Sequence, residues 1–149
     1  MTITEPISLA HYDPDFRDQL VDWFSDPDIR KSNEIPDEFD GVRFTDLLVN
    51  NSDQLYLICF GSHVIGFVCF FWREKGWMQV PITIADRHYR GKGFGSSALK
   101  IAVELNKNVD LVQMIRPTNK SMIETSLNAG FKEVGEEDGY IRFELERSQ

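Results

Sequence analysis

Tyr89-Arg90-Gly91-Lys92-Gly93-Phe94-Gly95-Ser96-Ser97 is the stretch on which the reading of this chain turns. A β-rich run ending at Ala85 precedes it. After it, Ala98, Leu99, Ala102, Val103 and Leu105 fall on one side of a helix read over Gly93–Asn108. Glycines at a strand-to-helix turn let the backbone approach a ligand and adopt conformations closed to other residues. The first N–H groups of the following helix have no partner within it and carry partial positive charge, which suits an anion. Arg90 and Lys92 add full charges at the rim, so a phosphate or pyrophosphate is the expected guest. A plain flexible connection is the competing account. The triphosphatase pattern G-x-x-x-x-G-K-[ST] is absent. The dinucleotide fingerprint G-x-G-x-x-G does not fit either, because these glycines stand at 91, 93 and 95, mid-chain and after an antiparallel-looking hairpin.

Working outward, Leu55–Phe60 and Val64–Trp72 read as a hairpin closed by Gly61-Ser62. Both strands are nearly continuous in apolar residues, so both faces should be covered. Trp77–Ala85 is the next strand, and Pro81 inside it implies a bulge or an interrupted ladder. Towards the N-terminus, Ile3–Leu9 reads as a first strand. Asp13-Pro14 opens a helix whose apolar face is Phe16, Leu20, Val21, Trp23 and Phe24. Asp26-Pro27 stops or kinks it. Asp28–Asp40 is a loop or short second helix, and Phe44–Val49 a helical turn. Beyond the glycine turn come a strand at Leu111–Ile115 and a helix at Asn119–Asn128, with Ser121 and Glu124 at capping-box spacing and Gly130 just past the end. Strands Phe131–Val134 and Tyr140–Leu145 follow, joined by Glu136-Glu137-Asp138-Gly139. This is a mixed α/β order without a repeat or linker, read as one domain over residues 1–149. Tyr140–Leu145 reads as an exposed edge that could pair across a homodimer; a monomer is the other expectation.

The 149 residues carry 16 Lys plus Arg against 24 Asp plus Glu, a net charge of −8. That balance argues against a nucleic-acid binder or a polybasic membrane contact; a cationic partner suits it better, and plain solubility would equally produce it. Cys59 and Cys69 lie in apolar runs without C-x-x-C spacing and read as buried thiols. His11 and His63 have no ligand-spaced partners, so no metal is expected. Without a long apolar span or a signal-like N-terminus, a cytoplasmic location is expected.

Arg90-Gly91-Lys92-Gly93-Phe94-Gly95 also matches [Q/R]-x-x-G-x-[G/A], and here the sequence resembles the GNAT N-acetyltransferase superfamily. A second likeness runs from Asn119 through a short helix to Gly130-Phe131. The resemblance implies an α/β (α+β mixed) fold. Its central, mostly antiparallel twisted sheet would splay between the fourth and fifth strands and be flanked by helices. It implies acetyl-CoA as cosubstrate. The amides of Gly91, Lys92, Gly93, Phe94, Gly95 and Ser96 would cradle the pyrophosphate, with Arg90 beside them. The backbone of Ile82, Thr83 and Ile84 would pair with the pantetheine arm, and Asn119 would hold it from the other side. Chemistry would be attack of a neutral amine on the acetyl carbonyl, helped by a backbone N–H at the oxyanion.

The acid and base of the family do not carry over. Many members place a glutamate base eleven residues before the [Q/R], where this chain has Gln79; an amide orders water but takes no proton at neutral pH. Many place a tyrosine acid four residues before the Gly of Gly-Phe, where this chain has Ser126. Asp86, His88, Glu74, Glu34 and Tyr140 are substitutes by chemistry, and Gln79, Ser126 and Tyr140 are the catalytic candidates. The expected reaction is acetyl transfer to a primary amine of a cationic small molecule or protein. The acidic stretch Asp26, Asp28, Glu34, Asp37, Glu38 and Asp40 would draw such an acceptor, unless it is merely a solvated loop. Trp72 and Trp77 could line its pocket, although core packing explains them as well. The alternative function is a CoA-binding regulatory or interaction module without turnover.

Overall fold

The structure is a computed structural model that describes residues 7–145 except Lys75, with Glu74 as backbone only. Strand β1 (Ile7–His11) leads into a 3-10 turn at Pro14–Phe16 and helix α1 (Arg17–Trp23). Residues 3–6 of the expected first strand lie outside the described residues. The Asp13 carboxylate accepts the Asp15 N–H at 2.9 Å, as its position before proline implies. Asp26-Pro27 both ends one helix and starts another: Asp26 caps α2 (Pro27–Ser32), accepting the Asp28 N–H at 2.8 Å. Helix α3 (Gly41–Asn51) is far longer than the helical turn expected at Phe44–Val49. Its start is set by Asp40, which accepts the Arg43 N–H. Exposed Val42 and Leu47 blur the apolar stripe that would have revealed its length.

Strands β2 (Gln54–Phe60) and β3 (His63–Glu74) form the expected hairpin, with Gly61 in the left-handed region at φ +59°. Both faces of β3 are covered. Phe67 and Cys69 pack under α1–α3, and Val68 and Phe70 pack on the side of helix α4 (Phe94–Leu105). The next strand is not bulged at Pro81 but divided. Strand β4 (Trp77–Gln79) pairs with β3 and runs parallel to β6 (Asp110–Ile115), while β5 (Ile82–Ile84) pairs with β3 alone.

Helix α5 (Lys120–Asn128) and strands β7 (Phe131–Glu137) and β8 (Tyr140–Leu145) complete the chain. Among the described residues the sheet has eight strands in the order β1-β2-β3-β4-β6-β8-β7, with β5 beside β3 off this path, and its only parallel pair is β4–β6. Asn119, not Ser121, caps α5, accepting the Met122 N–H at 3.2 Å. Gly130 follows the helix at φ +101°. The turn after β7 is tighter than the four residues expected: only Asp138 and Gly139 form it, both left-handed, the geometry that matches strand twist. Tyr140–Leu145 is not an edge. β8 is bonded to β6 on one side and β7 on the other, so the cross-dimer pairing expected of it is closed off, and β7 is the edge. No helix among the described residues is long and apolar enough to cross a membrane.

Candidate active site

The divided strand creates the site. β4 follows β6 as far as Gln79, opposite Val112. One residue later the buried Gln113 side chain donates Nε2–H to the Val80 carbonyl at 2.7 Å. Pro81 then offers no N–H, and from Ile82 onward the edge of β5 facing β6 is open.

Pleating decides which backbone groups face that opening. The Ala85 N–H donates to Ile65 O at 2.8 Å and the Cys69 N–H to Pro81 O at 3.1 Å. By alternation Thr83 directs its N–H and C=O to Phe67, while Ile82 and Ile84 direct theirs into the gap. A Cβ added at Gly66 would lie 2.0 Å from Thr83 O, which confirms how closely β5 is seated. Of the three residues expected to pair with a pantetheine, two therefore turn backbone groups to the gap, the Ile84 carbonyl among them being bonded by Arg90. Arg90 does not reach outward: its Nε–H and NH2 donate to Ile84 O and Ala85 O, each at 2.9 Å, clamping the end of β5.

Gly91 and Gly93 are left-handed, at φ +72° and +83°, and a Cβ at either meets nothing within 4 Å. Conformation, not crowding, demands glycine here. Gly93 caps α4, whose first helical bond runs from the Ser97 N–H to Gly93 O, so the N–H groups of Phe94, Gly95 and Ser96 remain for a ligand. The Phe94 ring anchors the turn against Phe60 at 4.9 Å. Across the gap stands α5, joined to α4 by the Asn128 Nδ2–H bond to Ser96 Oγ at 3.5 Å.

A cleft of about 750 Å³ runs from this turn, through the gap, to α2 and α3. Its walls include Ile82, Thr83, Ile84, Arg90, Gly91, Gly93, Phe94, Gly95, Ser96 and Asn119. Lys92 alone of the expected CoA-binding residues does not line it and stays exposed beside the turn. The volume suits a cofactor-sized ligand, and the open strand edge and helix start fit the pantetheine and pyrophosphate of acetyl-CoA.

At the far end the segment after α2 straps the gap. Asn33 Nδ2–H donates to Thr83 Oγ1 at 3.2 Å, on the β5 side. Its neighbour Glu34, left-handed at φ +51°, accepts from Arg116 Nε at 2.9 Å and the Tyr140 hydroxyl at 3.0 Å, on the β6–β8 side. The Arg116 guanidinium lies 3.9 Å from the Tyr140 ring centre. Burial, and then the bond to Glu34, pushes the Tyr140 hydroxyl above its ordinary value and keeps it a donor. Arg30 holds the segment from inside, donating to the carbonyls of Phe24, Pro36 and Phe39.

The three catalytic candidates do not converge. Half-buried Gln79 lines the cleft where the strands part, and no protein group among the described residues bonds its amide. Tyr140 reaches the cleft only through Glu34. Ser126 is fully buried, its Oγ has no partner, and it does not line the cleft. Among the substitutes, Asp86 caps the 3-10 turn Arg87–Tyr89, and His88, within that turn, is exposed with Nδ1 3.1 Å from Asp86. The described residues contain no metal-holding cluster. Cys59 and Cys69 are unpaired thiols. Trp72 is exposed, and Trp77 lies beneath Arg142 at 5.1 Å; neither lines the cleft. Sequence reasoning missed Gln113, Asn33 and Arg116, whose roles depend on strand neighbours that spacing does not specify.

A split sheet whose gap is lined by an open strand edge and a glycine-capped helix suits a transferase that takes acetyl-CoA. The sequence profile of the acetyltransferase (GNAT) family matches residues 15–131, and the chain belongs to that family. It is an acetyltransferase of the GNAT family. Among solved structures it resembles the aminoglycoside acetyltransferase AAC(6')-Ib in complex with paromomycin and acetyl-CoA, at 17% identity and TM-score 0.79, covering 95% of this chain and 93% of that one. A domain from Methanocaldococcus jannaschii superposes at TM-score 0.81 with 16% identity over 94% and 97% of the two chains. Spermidine N-acetyltransferase from Vibrio cholerae, in complex with CoA and spermine, gives 0.75 with 13% identity over 93% and 92%. At these identities the likeness is one of fold. No curated protein sequence matches this chain.

Proposed function

We propose that the protein transfers the acetyl group of acetyl-CoA to a primary amine entering from the α2–α3 side. The observation that carries this reading is the continuity of the cleft from the Gly91–Ser96 turn, past the Ile82–Ile84 edge, to Gln79 and the Glu34 strap. The amides of Gly91, Gly93, Phe94, Gly95 and Ser96 hold the pyrophosphate, and Ile82 and Ile84 hold the arm. Asn119, whose Oδ1 caps α5, has its amide N–H groups for the opposite side. Gln79 orients the amine or a water beside it; with no carboxylate at that position, the proton leaves to solvent in the cleft. The amine acceptors in the aminoglycoside and spermidine enzymes support an amine here.

Free-thiol release from acetyl-CoA, measured with and without an amine panel, tests the reading. Turnover dependent on amine is the expected result. Gln79→Leu should lower kcat on the order of 10²-fold, the scale of a misplaced reactant, while acetyl-CoA affinity holds. Binding of acetyl-CoA without consumption over the panel would instead make the chain a CoA-binding module.

A further inference from the structure

Of the acidic stretch expected to attract a cationic acceptor, Asp26, Asp28, Glu34 and Asp40 are taken up by the protein's own cations and helix ends, while Asp37 and Glu38 are exposed and do not line the cleft. Asp26 and Asp40 cap α2 and α3. Asp28 lies 3.3 Å from Arg87 and 3.8 Å from Arg90, and Glu34 is held by Arg116 and Tyr140. Although the chain carries −8, the ionised side chains lining the cleft balance: Asp28, Glu34 and Glu124 against Lys31, Arg90 and Arg116. Nothing there selects for multiple positive charges.

Between these pairs the acceptor end is apolar. Ile29, Phe44, Leu48, Cys69 and Phe71 line it from α2, α3 and β3. Ile29, Leu48 and Cys69 are buried behind half-buried Phe44 and Phe71, which present surface to the cleft. Phe71 is the cross-strand partner of Gln79, so the two side chains leave the sheet side by side on one face. An amine placed at Gln79 therefore has its substituent against Phe71 and Phe44.

We infer that the acceptor is a small primary monoamine carrying an aryl or branched-alkyl body, with the amino group at Gln79 and the body on the Phe44–Phe71 wall. This rests on the acetyltransferase reading and refines its substrate class. The test compares 2-phenylethylamine with spermine and kanamycin as acceptors for the full chain at saturating acetyl-CoA. The monoamine should give a kcat/KM at least tenfold above either polycation, changing less than twofold between 50 mM and 500 mM salt, since charge steering is screened over that range. Phe71→Ala should raise the monoamine KM about tenfold and leave the KM for acetyl-CoA unchanged; Phe44→Ala provides the same test should the first variant fold poorly. Preference for spermine or kanamycin, falling steeply with salt, overturns the inference and leaves the acetyltransferase reading standing. No thiol release with any of the three while another amine of the panel supports turnover overturns the inference alone; no release over the whole panel, in a sample whose melting temperature acetyl-CoA still raises, overturns both.

Discussion

Gln113 donates its side-chain N–H to the carbonyl of Val80 at 2.7 Å, at the point where β4 leaves β6. Both residues are buried, and the bond satisfies a carbonyl that the parting strands would otherwise orphan. Gln113→Leu, close in volume but without the donor, should cost about 1–3 kcal/mol. Thermal unfolding would show this as a Tm lower by roughly 2–4 °C per kcal/mol. An unchanged Tm would mean that the junction is held by packing alone.

Gly66→Ala places a Cβ against the backbone oxygen of Thr83, which no rotamer change can relieve. The variant should lose about 3 kcal/mol, the upper range of overpacking, and bind acetyl-CoA more weakly because β5 must shift. Calorimetric titration with acetyl-CoA separates the two effects.

Saturating acetyl-CoA, at about 100 times its Kd, should add roughly 2.7 kcal/mol of stability and raise Tm by roughly 5–11 °C. Gly93→Val sets a β-branched residue at φ +83° and should abolish most of that rise; Gly93→Asn, which tolerates left-handed backbone, should retain more of it. Equal behaviour of the two variants would refute the conformational argument.

The Glu34–Arg116 pair is about half exposed at both ends, so its removal should change stability by less than about 1 kcal/mol. Its effect belongs to the strap. Glu34→Gln should leave Tm and the KM for acetyl-CoA near those of the parent while raising the acceptor KM several-fold, as steady-state kinetics would show.

Burial raises the Cys69 thiol pKa far above that of an unfolded thiol, and Tyr140 is also raised. A raised folded-state pKa means that the native state keeps its proton longer. The stability it confers is complete below the unfolded pKa, near 8.5 for a thiol, and declines as pH climbs above it. Cys69 alone should cost about 1.4 kcal/mol per pH unit beyond that point. Urea midpoints at pH 8 and pH 10 should therefore differ less for Cys69→Ala than for the parent.

Local chemistry was legible in the residues. Asp13-Pro14 and Asp26-Pro27 supply caps and a fixed φ wherever they stand. Gly61, Gly93 and Gly130 occupy positions whose positive φ other residues resist. The apolar periods of β2, β3 and α4 follow from burial on two faces or one. Hence the order of elements, the CoA motif and its expected guest were readable without coordinates.

What only the tertiary structure decided is which groups meet. Pro81 announced an interruption, but the division of Trp77–Ala85 between β6 and β3 depended on where those strands lie. Strand parity then turned Thr83 towards Phe67 and left Ile82 and Ile84 on the open edge. β8 became an interior strand because both of its backbone edges found partners. Within the acidic stretch, folding brought Arg116 to Glu34 across 82 residues and Tyr140 across 106. Sequence spacing governs contacts within a turn or a strand; pairing between distant segments is settled by burial and charge neutralisation over the whole fold, and the acceptor end of this cleft is made of such pairings.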